Sequence, residues 1–479
     1  MRRAWPSHGF DKSAPVEDRA TRRLIANEGG RGLRYLFDLT TSAQWTGAAV
    51  GIVRVEQELA RRARGVLGSE LTFCVYERSQ NRFFAIDDEA ASEIVEGRLQ
   101  IDFLPEPPSP CTDVLDAARR RVRRAMRTNV TLYQAFQRLR GRRYTREELL
   151  RVQQEEFEGL SKRIEHLSRV SRGPADLNPA TCVVSVGLDW QYKDMRALWT
   201  LKQSAGFRCV PMIHDLIPLS FPQFVSPGYD ALLADYFGEL IWLADAVMCN
   251  SESTRREWMD FCNGFGVEGP AAHAFPLGCD LPRTRMESEL PRALRHKRFA
   301  LFVSTIEPRK NHRVLYDAWD RCMRSGAVDP ERDRLVFVGR FGWAVDDFTR
   351  ELSANPATRE SIVILKEVDD DLLATLYRES AFVVFPSFWE GYGIPLAEAL
   401  GYGKPCLSSD AGSLCEIGGD LVMRIDPKDT IRWADKIAHY MRSPGELEDW
   451  SRRIRAAHRP VTWDASAQRF FSTIKDAVS

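Results

Sequence analysis

A chain of 479 residues is too long for one hydrophobic core and predicts two or three domains, and its 44% hydrophobic content is that of an ordinary globular protein. Lys+Arg and Asp+Glu balance at 67 each, so no global field draws the molecule to nucleic acid. The ten cysteines stand singly, without a Cys-x-x-Cys pair or ligand-like spacing to His, which argues against a disulfide framework or zinc site and for a reducing, cytoplasmic compartment. No apolar run of about 18 residues predicts a membrane span, and the opening Met1-Arg-Arg-Ala-Trp-Pro lacks an apolar signal core.

In chain order, residues 1–30 mix Pro, Gly and charge without periodicity and predict a flexible tail. Leu33 to Leu39 predicts a first strand, followed by Gly47-Ala-Ala-Val-Gly51 and a helix from about Ile52 to Arg64. A strand, a glycine-containing loop and a helix offer a phosphate or sugar site, although the spacing is not the dinucleotide fingerprint. Leu71–Tyr76 and Arg82–Ile86 predict strands, and residues 87–110, acidic and then Pro-rich, predict a loop. From Arg119 to Arg146 there are many arginines and no acid. Within that run Val122, Met126, Val130, Tyr133, Phe136 and Leu139 form one helical stripe. After Gly141, a second stripe runs through Leu150, Phe157, Leu160, Ile164 and Leu167. These predict a helical hairpin inserted at about 111–172. The simpler account is two helices packed on each other with solvated arginines. The sharper one is a basic amphipathic surface for peripheral contact with anionic membrane.

Thr181–Val186 resumes the strand pattern, Gln191–Ser204 predicts a helix, and the strand Phe207–Ile213 delivers His214 and Asp215 at its end. Tyr229–Leu243 predicts a helix, Ala246–Cys249 a strand, and Asn250-Ser-Glu-Ser253 the cap of the next helix. Ala271–Phe275 and then Gly278 lead into a charged, Pro-containing linker at 281–297. The second half alternates, with strands expected at 299–303, 334–338, 361–365, 381–385, 405–408 and 421–425 and helices between them. Alternating βα predicts an α/β fold with a parallel sheet covered on both faces. Trp463–Val478 predicts a final helix.

The most informative stretch is Phe385-Pro-Ser-Phe-Trp-Glu-Gly-Tyr-Gly-Ile-Pro-Leu-Ala-Glu398. An apolar strand ends at Pro386, Gly391 and Gly393 let backbone approach a ligand, and Pro395 suits a helix start. Glu390 and Glu398 therefore flank a strand–loop–helix junction, where ligands bind in open α/β sheets. A carboxylate accepts two hydroxyls and suits a sugar or ribose; the plainer reading is a capped helix with a solvated first-turn acid. Arg309 and Lys310 follow the first strand of this half and suit a diphosphate. Asp369-Asp-Asp371 resembles a metal motif, but it precedes Leu372-Leu-Ala374 and reads as helix capping, so no metal site is expected. Trp389 and Tyr392 suit either sugar stacking or the core.

Glu390 and Glu398, with seven residues between them that include Gly391-Tyr392-Gly393, resemble the donor-site signature of retaining, nucleotide-sugar-dependent glycosyltransferases of family 4 (group 1), which have the GT-B fold. Val303-Ser-Thr-Ile-Glu-Pro-Arg-Lys-Asn311 resembles that family's diphosphate loop, and Gly403–Asp410 and Glu416–Gly419 continue the pattern. The resemblance implies two facing Rossmann-like domains. An acceptor domain at 31–285 carries the helical insertion, a donor domain spans 286–455, and a helix at 456–479 crosses back to the first. It implies donor binding by Gly51, Arg54, Glu390, Gly391, Tyr392, Gly393, Ile394 and Glu398, and catalysis by His214, Glu390, Arg309 and Lys310. Asn250, Ser251 and Gly278 stand at further strand ends of the same face. The basic pair then carries the leaving diphosphate without metal or other cofactor. Ser304-Thr305 stand where many members have Gly-Arg, so Arg309 takes the missing cation's share. Retention follows from front-face attack, with the leaving phosphate accepting the acceptor's proton.

The expected function is transfer of a hexose from a nucleotide-diphosphate sugar to a glycan or lipid-linked acceptor in surface polysaccharide, O-antigen or glycolipid biosynthesis. The expected place is the cytoplasm or the inner face of the cell membrane. Mannose from GDP-mannose is the first expectation, because Glu307-Pro-Arg-Lys-Asn311 resembles mannosyltransferase-like members. A nucleotide-sugar epimerase on the same architecture is the alternative, and needs further acid/base residues. An inactive scaffold is the other, against which stand the intact Lys310, Glu390 and Glu398.

Overall fold

The computed structural model describes residues 32–47, 51–103, 162–280 and 288–479. The expected tail at 1–30, the arginine-rich stripe at 119–146 and most of the second stripe lie outside the described residues. By contacts the described chain divides into two compact units. One holds 32–212, 239–245 and 478–479, and the other holds 213–238 and 246–477. Among the described residues no helix is long and apolar enough to cross a membrane.

In the first unit the strands are β1 (Arg34–Asp38), β2 (Leu71–Glu77), β3 (Arg82–Ile86), β4 (Leu99–Asp102), β5 (Arg163–His166), β6 (Ser171–Pro174), β7 (Thr181–Ser185) and β8 (Arg208–Ile213). Within this unit the sheet runs β8-β7-β1-β2-β3-β6. It is parallel from β8 to β2, and antiparallel at β3 and β6. Every residue of β7 is buried, as a strand covered on both faces requires. The helix Ile52–Leu67 lays Val53, Leu59, Ala60, Ala63 and Leu67 into the core.

Three expectations are corrected here. Residues 87–110 are not all loop: Asp88–Val95 is a helix and Leu99–Asp102 a strand. Asp88 and Glu89 occupy the helix's first turn, where acids oppose the dipole, while Ala90, Ala91, Ile94 and Val95 are buried on one face. The acidity is helix-start chemistry, not loop composition. The second arginine-side stripe also does not end as a helix. Ile164 lies in β5, which pairs parallel to β4 with Gln100 opposite Ile164, and Leu167 opens a single helical turn. Pairing to β4 takes up the backbone there, with Arg163 N–H donating to Arg98 O at 2.8 Å, so the three-residue step from Ile164 to Leu167 is not helical. The expected helix 191–204 is split into Asp189–Tyr192 and Met195–Ala205, the second capped by the Asp194 side chain on Ala197 N–H.

The second unit holds the parallel pair β9 (Ala246–Cys249) and β10 (Ala271–Ala274). It also holds β11 (Arg298–Val303), β12 (Asp333–Val338), β13 (Ile362–Leu365), β14 (Phe382–Phe385), β15 (Cys406–Ser408) and β16 (Met423–Arg424). These last six lie within two residues of the strands expected from sequence. They form an all-parallel sheet in the order β13-β12-β11-β14-β15-β16. Phe299, Leu301, Phe302, Val336, Phe337, Val383 and Val384 fill its core. The final helix Trp463–Val478 packs on residues 275–280. Phe275 and Phe470 ring centroids are 4.8 Å apart, and Ser466 Oγ donates to Pro276 O at 2.7 Å. Gly278 is required there, since a Cβ would stand 2.4 Å from Trp463 Cα.

Both sheets reverse their strand order between two central strands, β1 and β7 in the first, β11 and β14 in the second. Crevices outside the carboxyl ends of such strands are where open α/β sheets bind ligands.

Candidate functional site

The β11/β14 reversal brings together the loops carrying Arg309-Lys310 and Glu390. After β11 the chain makes a one-turn helix at Pro308–Lys310, and Asn311 follows at φ 58°. Asn311 accepts that left-handed conformation while its side-chain amide donates to Pro386 O (3.1 Å) and Pro427 O (2.8 Å), tying the β11 loop to the β14 loop. Phe388 N–H donates to Arg309 O at 2.9 Å across the same seam.

The two cations are not bare. Lys310 Nζ donates to both oxygens of Glu390, at 2.6 and 2.9 Å. Arg309 reaches Glu390 Oε2 at 3.0 Å, Trp389 O at 2.7 Å and Glu307 Oε1 at 2.9 Å. Two cations thus face two carboxylates. Burial alone would raise the Glu390 carboxyl; the Lys310 and Arg309 charges overcome it and hold it at about 2. Burial and the adjacent Arg309 charge lower Lys310 against the pull of Glu390. Arg309, lowered by burial, is raised by Glu390 and then Glu307 to a net higher value and stays charged. Glu390 is therefore first the counter-ion of the basic pair, a role not among those expected from sequence, which were donor binding and catalysis.

Glu398 sits in the helix Ile394–Gly401, buried, and accepts from Tyr377 OH at 3.1 Å. Gly393, at φ 105°, caps that helix, and a Cβ there would stand 2.7 Å from Leu414 Cδ2. Ile394 is its first residue. Gly391 has no room for a side chain, since a Cβ would lie 2.3 Å from His214 O. Its own carbonyl accepts from Ser251 Oγ at 2.8 Å and Thr254 Oγ1 at 3.3 Å. Tyr392 is tied through its hydroxyl to Leu277 O at 2.8 Å.

His214 follows β8 and is buried, and its carbonyl accepts from Asn250 Nδ2 at 2.8 Å. Asp215 Oδ1 accepts from Ile217 N–H at 3.0 Å and so holds the turn after the strand. Asn250 and Ser251 clamp the His214 and Gly391 carbonyls. Gly51 and Arg54 belong to the other unit, Gly51 as the φ 54° cap of the helix Ile52–Leu67 and Arg54 in its first turn. Asp369 accepts from Leu372 N–H at 2.8 Å and caps the helix Asp370–Glu379, the reading made from sequence. Among the described residues no group of three His, Cys, Asp or Glu could hold a metal ion.

Four groups were missed. Glu307 and Asn311 lie inside the quoted loop motif but carried no charge-partner signal. His312, the next residue, is a buried imidazole beside Phe302 and Phe337, with centroids at 4.5 and 4.9 Å, and burial and Lys310 push it down to about 3. Glu257, on the helix Glu252–Phe265, accepts from Trp389 Nε1 at 2.8 Å, and burial pushes its carboxyl up to about 7.

Comparison with known proteins adds to this geometry. Residues 288–457 match the model of the family described as glycosyl transferases group 1. The serotype-specific mannosyltransferase WbdA of Escherichia coli is 28% identical over 230 residues, 46% of this chain and 28% of the relative. The O-antigen chain mannosyltransferase B of Escherichia coli is 30% identical over 272 residues, 55% of this chain and 66% of the relative. A D-inositol 3-phosphate glycosyltransferase of Corynebacterium glutamicum is 26% identical over 262 residues, 50% of this chain and 59% of the relative. The chain thus spans less than two thirds of the length of these curated relatives. Among solved structures, Anabaena HepE in complex with UDP and glucose superposes with TM-score 0.55 at 16% identity, covering 93% of this chain and 100% of that one. The sucrose-phosphate synthase of Thermosynechococcus elongatus gives 0.55 at 16% identity, covering 93% and 99%. The fold is the GT-B class of two Rossmann-like α/β units.

Proposed function

We propose that the protein is a glycosyltransferase that moves a hexose, mannose in the first instance, from a nucleotide-diphosphate sugar to a glycan or lipid-linked acceptor, with retention and without metal. The observation that carries the reading is the pairing of Arg309 and Lys310 with Glu390 at the β11/β14 reversal, inside the stretch that matches the group 1 family model. The mannosyltransferase relatives support mannose, and GDP-mannose is the donor we assign on that ground.

In this account the donor diphosphate enters beside Arg309 and Lys310 and displaces part of their bonding to Glu390 and Glu307. As the bond from the sugar's anomeric carbon to phosphate oxygen breaks, charge builds on the diphosphate, and two fixed cations stabilise it more than the ground state. Glu390, released in part, turns its oxygens to sugar hydroxyls where positive character develops. Glu398 accepts the ribose hydroxyls, held by Tyr377. The acceptor oxygen attacks the same face, and its proton passes to the leaving phosphate. His214 is the candidate active-site histidine, and Gly51 and Arg54 are proposed as donor-binding residues. The donor domain is assigned to residues 286–455, and the site of action to the cytoplasm, with peripheral contact at the inner membrane face.

The test is turnover of purified protein with a panel of nucleotide sugars and mannose-terminated acceptors in EDTA. The expected result is transfer from GDP-mannose with the anomeric configuration kept. Loss of transfer in EDTA, restored by Mg²⁺ or Mn²⁺, or inversion of configuration, contradicts it.

A further inference from the structure

We propose that Glu257 is a positioning residue for the β11/β14 site, acting through Trp389. The inference rests on the glycosyltransferase reading and names a group which that reading does not use.

The argument is a chain of bonds. Glu257 Oε1 accepts the Trp389 indole N–H at 2.8 Å. The Trp389 carbonyl accepts from Arg309 Nη1 at 2.7 Å, and the same nitrogen donates to Glu390 Oε2 at 3.0 Å. Trp389 thus has its ring fixed by one carboxylate and its backbone fixed to the guanidinium that faces the other. The indole bond tethers residue 389 to the helix of Glu257, so its loss frees the loop backbone that carries the carbonyl to which Arg309 is aligned. The adjacent peptide carries Glu390, so both members of the ion pair shift together.

Packing alone does not set that ring. Trp389 lies 5.3 Å from Phe221, tilted by 40°, and Phe224 and Phe388 continue the row at 5.2 Å. Gly412 lies against the same stretch, since a Cβ there would be 2.6 Å from Glu390 O and 3.2 Å from Trp389 Cε2. Apolar contacts of this kind tolerate rotation in the ring plane, whereas an N–H to carboxylate bond is directional. The helix that carries Glu257 grips the loop at a second point, through Ser251 Oγ on Gly391 O at 2.8 Å. Two anchors, Ser251 at the N-cap and Glu257 between one and two turns further along the same helix, fix both the position and the rotation of residues 389–391. A charged pair aimed at a developing charge needs that fixity, because misplacement well under the length of a bond contact weakens transition-state stabilisation.

The test uses the full chain and the donor sugar that turns over, with GDP binding in EDTA by calorimetry as a second readout. Glu257→Ala removes the acceptor, and Trp389→Phe keeps an aromatic ring and removes the donor. Each should lower kcat about tenfold, the rate equivalent of one lost hydrogen bond, with the melting temperature within a few degrees of the parent. The double variant should be no worse than either single one, since both delete the same bond. Glu257→Gln, whose amide oxygen still accepts the indole N–H, should restore most of kcat. Parent-like turnover by Glu257→Ala, a double variant that loses the product of the two effects, or a Gln variant as poor as the Ala variant would each overturn the proposal. If the parent binds no nucleoside diphosphate, the reading of the site falls and this inference with it. If the parent binds GDP and Glu257→Ala turns over normally, only this inference falls.

Discussion

Each sheet holds a buried cation ringed by carboxylates at the point where its strand order reverses, and the two clusters differ in one respect. At β1/β7, Lys193 Nζ meets Asp189 Oδ1 at 2.7 Å, Ser185 Oγ at 2.6 Å and Asp38, and the Lys193, Asp38 and Asp189 side chains are 2%, 3% and 5% exposed. At β11/β14, Arg309, Lys310 and Glu390 are 17%, 19% and 12% exposed. The first crevice is closed by its own loops. Thr41 Oγ1 accepts Leu188 N–H at 2.8 Å, Glu56 Oε1 accepts Ser42 N–H at 2.8 Å, and Gly187 lacks the Cβ that would collide with both side chains. The second stays within reach of solvent. On the proposed function, the same chemistry at equivalent places in two sheets serves stability when sealed and ligand binding when open.

The sharpest way to break that comparison is to remove each cation. Lys193→Met strands two buried carboxylates and should cost about 3–5 kcal/mol of stability in urea unfolding, while activity per folded molecule stays close to the parent. Asp189→Asn gives a milder form that folds more readily. Lys310→Met leaves Glu390 with Arg309 and should cost less stability and far more turnover. A Lys310→Met that loses stability as heavily as Lys193→Met while keeping its turnover would mean that both clusters are structural.

Next in size are the glutamates of the open site. Glu390→Gln should lower kcat about 100-fold, the scale of one lost electrostatic contact to a transition state. It should bind free nucleoside diphosphate at least as well as the parent, because one carboxylate no longer competes for the cations. Glu398→Gln should raise the donor KM about tenfold with kcat largely kept, as loss of a bond made equally in both states requires. Steady-state kinetics and calorimetry on both variants separate these outcomes; the reverse pattern means the two roles are exchanged.

The smallest effect is on stability against pH. Burial, with Asp38 adding to it, pushes Glu56 up to about 8, and Glu257 stands at about 7, against 4.5 for both when unfolded. A carboxyl raised on folding contributes stability that is complete below its unfolded value and is lost as pH rises through its folded value. His312, lowered from 6.5 to about 3, acts in the opposite direction only below 6.5. Between pH 6.5 and 8 stability should therefore fall as pH rises, by about 1.4 kcal/mol per pH unit for the Glu56 proton. Glu56→Gln should flatten the profile in urea titrations. A parent profile that is flat or rising across that window contradicts the sealed, protonated Glu56.

Much of the second unit was legible in the sequence because its signals are local. Apolar runs such as Phe382–Phe385 are fully buried strands, and Asp369 caps the helix it precedes. The first unit was harder. Asp88 and Glu89 look like loop acids until Ala90, Ala91, Ile94 and Val95 are seen as one face, and β5 owes its form to β4, far away in sequence. In the site, residue types pointed to Arg309, Lys310, Glu390 and Glu398, but not to who pairs with whom. The Glu390 partners lie 80 and 81 positions away, and Glu257 lies 132 from Trp389. No periodicity encodes such distances: the reversal of strand order brings the Arg309-Lys310 and Glu390 loops together, and the helix after β9 brings Glu257 to Trp389.

The central claim is that the open cluster at β11/β14 holds a nucleoside diphosphate through its own cations. Calorimetric titration of GDP into the parent and into Lys310→Met, both in EDTA, tests it most directly. The account predicts metal-free binding by the parent and at least about tenfold weaker binding by the variant, the equivalent of one charged hydrogen bond. Equal binding by both proteins, or binding by the parent only when Mg²⁺ is added, would contradict it.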